Sequence, residues 1–127
     1  MPSKPITVLV VDDEERIRRF ERSLLAADAK VSVIAEADNG RAAAELTRKL
    51  MPDVIVMDIS MPVMNGFDAA RTILREFPKT RIIMTTAMGT EPYKRVSFSL
   101  GAAGFVDKSC LGTQLVDTIH EIQHGSH

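Results

Sequence analysis

One cysteine, Cys110, is all the thiol chemistry the chain carries, so no internal disulfide can form and the usage fits a reducing cytosol. No apolar run approaches the roughly 20 residues needed to cross a bilayer. The opening stretch MPSKPI has no apolar signal core. Neither sign of charge dominates: 16 basic residues stand against 17 acidic ones, a net charge of -1, which excludes the basic footprint of a nucleic-acid binder from this segment. Linkers, repeats and low-complexity tracts are lacking as well. These absences lead us to expect a soluble, cytoplasmic domain without membrane contact. What is present is apolar residue, 45 % of 127, enough for one well-filled core. We expect a single domain over residues 1–124, with Gly125, Ser126 and His127 a floppy tail or cloning remnant.

The apolar residues alternate between two periods. Ile6 to Val11 (ITVLVV), Val31 to Ala35 (VSVIA), Asp53 to Met57 (DVIVM), Arg81 to Thr85 (RIIMT) and Gly104 to Val106 read as strands. Between them lie helical stretches. Glu14 to Ala27 carries Ile17, Phe20, Leu24 and Leu25 on one stripe, with Arg and Glu on the other face. Asn39 to Leu50 carries Ala43, Leu46 and Leu50, and Pro52 closes it. Asn65 can cap a third helix with the stripe Phe67, Ala70, Leu74 and Phe77, stopped by Pro78. A fourth is expected to open at Thr90–Glu91–Pro92 and to end at Leu100–Gly101. Leu115, Val116, Ile119 and Ile122 mark the last. Strands apolar on both faces, alternating with helices, imply a parallel sheet covered on both sides. For five strands the natural solution is the doubly wound, flavodoxin-like (βα)5 fold with strand order 2-1-3-4-5.

The stretch DVIVMDISMPVMNG runs a buried strand straight into a carboxylate, Asp58. Ionised carboxylates leave water only when a cation or several donors meet them. In this fold ligands bind beyond the carboxyl ends of the strands where the order reverses. Asp12 and Asp13 follow the first strand and Asp58 the third, so three carboxylates converge there. Thr85, Thr86 and Lys108 end the fourth and fifth strands at the same rim. A divalent cation together with Lys108 would balance the charge, and hard oxygen donors suit Mg²⁺ (or Mn²⁺). A carboxylate can accept a phosphoryl group as an acyl phosphate, while cation and lysine neutralise the phosphoryl oxygens. Asp12–Asp13 taken alone would serve equally as an N-capping pair, Lys108 as a solvated loop residue, Thr85 and Thr86 as strand formers, and Phe105 as core.

The motifs VVDDEE, VMDISMPVMNG, MTTA and GFVDK, in that order at strand ends, resemble the receiver domain of two-component response regulators over essentially the whole chain. The resemblance implies that Asp58 is the phosphoacceptor, loaded by a sensor histidine kinase. It implies Asp13 as direct metal ligand, Asp12 as a ligand through water, and the backbone carbonyl of Ser60 as a further oxygen. Thr86, followed by Ala87, matches the switch hydroxyl, Phe105 the aromatic rotamer switch, and Lys108 the lysine that meets the phosphoryl group. Thr86 moving inward would free space for Phe105 and remodel the face of the fourth helix, fifth strand and last helix, where a homodimer is expected on phosphorylation. Where most receivers follow the lysine with a cis-proline, this chain has Ser109, so a trans bond is expected. That departure, with DKSCLGTQLVDTI, resembles NarL/FixJ-type regulators, whose DNA-binding output domain has no counterpart within these residues. A transcription-regulator output in a longer chain is the leading expectation, and a stand-alone receiver acting by protein contact the alternative. No enzyme beyond its own phosphorylation and dephosphorylation is expected: a hydrolase using the same intermediate would place an acid–base carboxylate at Ser60.

His120 and His124 have a spacing that can chelate zinc, but without a further ligand they read as a polar helix face. Cys110 lacks a partner base and reads as a bland thiol. Met88 is expected at the pocket mouth, where an apolar side chain would hinder the attacking water and prolong the acyl phosphate.

Overall fold

The computed structural model describes residues 4–124, so the reading of residues 125–127 as a tail lies outside them. Strands β1 (Ile6–Val11), β2 (Val31–Ala37), β3 (Val54–Asp58), β4 (Arg81–Thr86) and β5 (Gly104–Asp107) alternate with helices α1 (Glu15–Ala26), α2 (Gly40–Leu50), α3 (Gly66–Glu76), α4 (Tyr93–Leu100) and α5 (Leu111–His124). One turn of 3₁₀ helix, Lys108–Cys110, leads into α5. The sheet is parallel throughout and its order is β2-β1-β3-β4-β5, as the alternation predicts. β3 lies in the middle, and every residue from Val54 to Asp58 is buried.

Period-2 alternation along the strands divides the interior into two layers. Leu9, Val11, Ile55, Met57, Ile82 and Met84 face α2, α3 and α4 through Ala43, Ala70 and Ile73. Val8, Val10, Val54, Val56, Ile83 and Val106 face α1 and α5 through Leu25, Leu111, Leu115 and Ile119. The far end of α5 is moored twice: Arg81 Nη1 donates to the carbonyl of Ile122 at 2.7 Å, and His120 Nε2 lies 2.7 Å from Asp28 Oδ2 in the α1–β2 loop.

Local chemistry sets the helix ends. Asn39 caps α2, accepting from the N–H of Ala42 at 2.9 Å, and Asn65 caps α3 through the N–H of Asp68 at 3.0 Å. Gly101, at φ 113°, takes the left-handed turn that ends α4. The start of α4 departs from expectation. It opens at Tyr93, because no side chain caps it and Pro92 sits at the boundary instead of inside the first turn. The cis peptide bond among the described residues is Glu91–Pro92, and the Lys108–Ser109 bond is trans as expected. The expected stripe of α1 is also corrected. Phe20 is 46 % exposed, whereas Glu21 is fully buried in the position a core aliphatic would take. The helix is rotated so that Glu21 and Leu25 point inward with Ile17 and Leu24 flanking them, and Phe20 lies off the stripe. Leu50, at the last turn of α2, is likewise exposed.

Candidate functional site

β1 and β3 pair side by side, Val8 to Val11 against Val54 to Met57, and both end at the same rim. The chain leaves β1 through Asp12 and Asp13 and leaves β3 through Asp58. The three carboxylates each offer an oxygen within 4.8 Å of the others. Asp12 and Asp58 are buried, while Asp13 faces solvent. The β3–α3 loop is held close beneath them: the N–H of Ser60 points at Asp58 Oδ1 (3.3 Å), and the N–H of Gly66 donates to the carbonyl of Ile59 (2.8 Å). A Cβ on Gly66 would stand 2.1 Å from the carbonyl oxygen of Asp58, so only glycine permits this approach.

Lys108 closes the pocket from the fifth strand's end. Its Nζ lies 2.7 Å from Asp12 Oδ2 and 3.2 Å from Asp58 Oδ1. Burial works against the ammonium, yet the two carboxylates outweigh it and hold its pKa above the ordinary lysine value. For Asp58 the balance falls the other way. Burial first, then the Asp12 charge, pushes its carboxyl up to about 7 despite Lys108. The acidic pair does not cap α1, whose N-cap is Glu14 without a side-chain cap; Asp12 Oδ1 instead accepts the N–H of Glu14 at 2.9 Å in the turn before the helix. Arg18 then ties the carbonyl of Asp12 (2.8 Å) and Glu36 (2.8 Å).

Thr86 ends β4 almost completely buried, its Oγ1 accepting from the N–H of Met88 at 3.0 Å. Thr85 turns its hydroxyl toward the carbonyl of Met57. Phe105 pairs with Met84 in the sheet register and packs, half-buried, on the same face as α4. Met88 is 61 % exposed, beside the Thr86 hydroxyl. The structure thus brings the acidic pair, Asp58, Lys108 and Thr86 to one rim, with Phe105 one layer beneath.

The other sequence candidates lie apart. His120 is engaged by Asp28, whose carboxyl that bond holds below its usual range, and His124 stacks on it with ring centroids 5.7 Å apart. Cys110 Sγ meets the Ser109 hydroxyl at 3.8 Å, and the residue packs half-buried against the α1–α5 layer.

Glu21 was not foreseen. Its burial and the Asp12 charge push its carboxyl up to about 8, and neither oxygen has a hydrogen-bond partner. Its place on the inward stripe, four residues before Leu25, was the only signal available in the sequence.

An all-oxygen set with two buried carboxylates fits a small hard cation such as Mg²⁺, which keeps several waters of its own. What the pocket can do is offer one carboxylate, Asp58, to an electrophile between a lysine and a cation.

Comparison with known proteins places these residues in context. The model of the response regulator receiver domain matches residues 8–120. Response regulator GacA of Pseudomonas aeruginosa is 33 % identical over 120 residues, 94 % of this chain and 56 % of GacA. Protein CcdB of Bacillus subtilis is 39 % identical over 115 residues, 91 % of this chain and 95 % of that protein. The signal receiver domain of the response regulator NarL from Mycobacterium tuberculosis superposes with a TM-score of 0.89 at 30 % identity, covering 98 % of this chain and all of that one. The chain spans about half the length of GacA and of the similarly matched transcriptional regulatory protein DegU of Brevibacillus brevis.

Proposed function

The chain belongs to the response regulator receiver family, and on that premise we propose that it takes a phosphoryl group onto Asp58 from a sensor histidine kinase and passes the change to a partner surface. One observation carries the reading: Asp12, Asp13 and Asp58 converge within 4.8 Å, and Lys108 Nζ stands between Asp12 and Asp58. A carboxylate oxygen of Asp58 attacks phosphorus in line, the P–N bond to the kinase histidine breaks, and the electron pair leaves with the imidazole. Asp13, Asp58 and the carbonyl of Ser60 would hold Mg²⁺ or Mn²⁺, with Asp12 acting through water. Bound there, the cation would neutralise charge on the phosphoryl oxygens. Lys108 swings its ammonium from Asp58 to a phosphoryl oxygen. Thr86 gives up the N–H of Met88 and turns its hydroxyl to another. Phe105, on the same sheet face, follows into the space vacated. Met88 shields the acyl phosphate from water.

The output is a homodimer formed through α4, β5 and α5 and, in a longer polypeptide, a DNA-binding domain. Similarity to DegU and GacA supports that output. The near-complete coverage of CcdB supports a stand-alone receiver acting by protein contact instead. The native reading frame beyond His127 separates the two. For the site itself, incubation with acetyl phosphate or phosphoramidate and Mg²⁺, followed by intact mass, is the test. One stable phosphoryl group, lost in Asp58→Asn, is expected. Continuous turnover would mark a hydrolase, and no uptake an interaction module.

A further inference from the structure

Glu21 has no part in the chemistry above, yet it is fully buried with both carboxyl oxygens unpartnered. Leaving such a group unpaired is costly, and an aliphatic residue would fill this place on α1 without that cost. The charges that act on it are Asp12 from the end of β1, Asp58 from β3, Lys108 from beyond β5, and Arg18 from its own helix. Of the two cations, Arg18 is already committed to Glu36 and to the carbonyl of Asp12. Lys108 is paired with Asp12 and Asp58, but not to its full capacity. An ammonium has three donors, and the acidic residues in reach of Nζ are Asp12 and Asp58. The inner side of α1 thus holds a buried acceptor lacking donors, and among the charges that act on it is an ammonium with one donor that neither carboxylate takes.

We propose that Glu21 is a positioning residue for Lys108, a helix-side acceptor reached by a change of rotamer, which steadies the ammonium as it moves from Asp58 to the phosphoryl group. The inference rests on the phosphoacceptor reading of the same pocket. With Asp58 esterified, one of the two carboxylates flanking Nζ is gone, and Asp12 is shared with the cation. Glu21 then keeps the ammonium from drifting out of the pocket. While Asp58 is free, Glu21 stays uncharged in its apolar surroundings and does not compete for the ammonium.

The test compares Glu21→Gln, which keeps an acceptor oxygen, with Glu21→Leu, which fills the space without one. Phosphoryl uptake from phosphoramidate is measured beside the NMR resonances of the Lys108 Cε methylene, assigned with Lys108→Met. The expected result is a fall in uptake rate of about tenfold in Glu21→Leu, the low end for losing a residue that orients a reacting group, with Gln within about twofold of wild type. On phosphorylation the Lys108 resonance should reach the wild-type position in Gln and a different one in Leu. Wild-type behaviour of Leu in both readouts overturns the proposal and leaves Glu21 as filler. Equal loss in Gln and Leu also overturns it, because charge and not an acceptor would then be at work. Failure of wild type to take up phosphate would refute the phosphoacceptor reading. In that event this proposal falls with it, whereas normal uptake in wild type beside an indifferent Leu variant overturns this proposal alone. Should Leu not fold, Glu21→Met serves the same comparison.

Discussion

Asp58 carries its carboxylate at the end of a strand buried along its whole length, and its proton affinity follows from that address. With the pKa pushed up to about 7, first by burial and then by Asp12, much of the nucleophile is protonated below neutrality. The reactive form is the carboxylate. Phosphoryl uptake at limiting Mg²⁺ should therefore rise about tenfold per pH unit below about 7 and flatten above it. Saturating Mg²⁺ favours the charged form and should move the midpoint downward. Uptake followed by intact mass across pH checks both, and a flat profile from about pH 5.5 to 8 would contradict the buried-acid account. Glu21 makes the companion case in stability. Its folded pKa, about 8, exceeds the ordinary glutamate value of 4.5, so the folded state keeps a proton that the unfolded chain gives up between those values. The stability it contributes is complete below about pH 4.5 and is lost as pH rises through about 8. Glu21→Leu should accordingly gain more in urea denaturation at pH 8 than at pH 4.5, by roughly 2–5 kcal/mol.

At the scale of elements, the β3–α3 loop is the part held most tightly against its own preferences. Gly66 touches the Asp58 backbone, and Val63 sits at φ 71° with most of its side chain in solvent. Gly66→Ala should cost about 3 kcal/mol or more, the top of the range for overpacking, and should disrupt the pocket, read by urea midpoint and Mg²⁺ affinity. Val63→Asn should do the reverse and stabilise the fold by about 1 kcal/mol, read as a higher urea midpoint, because a left-handed backbone is most strained for a β-branched residue. Most of this architecture was legible beforehand. Strands apolar on both faces can only be central and parallel, so VLVV and VIVM fixed β1 and β3 as neighbours, and with them the meeting of Asp12, Asp13 and Asp58. The asparagines at 39 and 65 announced two helix starts by their chemistry. Local signals failed where the tertiary environment overrode them. Phe20 and Glu21 are adjacent on α1, and hydrophobicity alone assigns them to the wrong faces. The burial of Glu21 follows from how α1 packs on the sheet, which its neighbours in sequence do not reveal. The start of α4 was misread because proline after a threonine looks like a cap, although Thr90 accepts the N–H of Lys94 through its carbonyl and not through its hydroxyl.

For the molecule as a whole, phosphorylation is expected to act on association. Light scattering after gel filtration, with and without beryllofluoride and Mg²⁺, should show a larger species only with the mimic, and Asp58→Asn should stay unchanged. Identical masses in all conditions would rule out a switched homodimer. The two interior layers lie on opposite sides of the sheet, with Lys108 leading into the α1–α5 side and Phe105 packed on the other. The mooring of α5 by Arg81 and His120 has a mechanical consequence. On the proposed loading of Asp58 the helix would act as a lever, with its pivot near Ile122 and Lys108 drawing on the opposite tip. Displacement should be greatest at Leu111 and fade toward the pivot. Amide exchange should therefore quicken or slow at Leu111 to Val116 when Asp58 is loaded, while Ile119 to Ile122 keep the same pace.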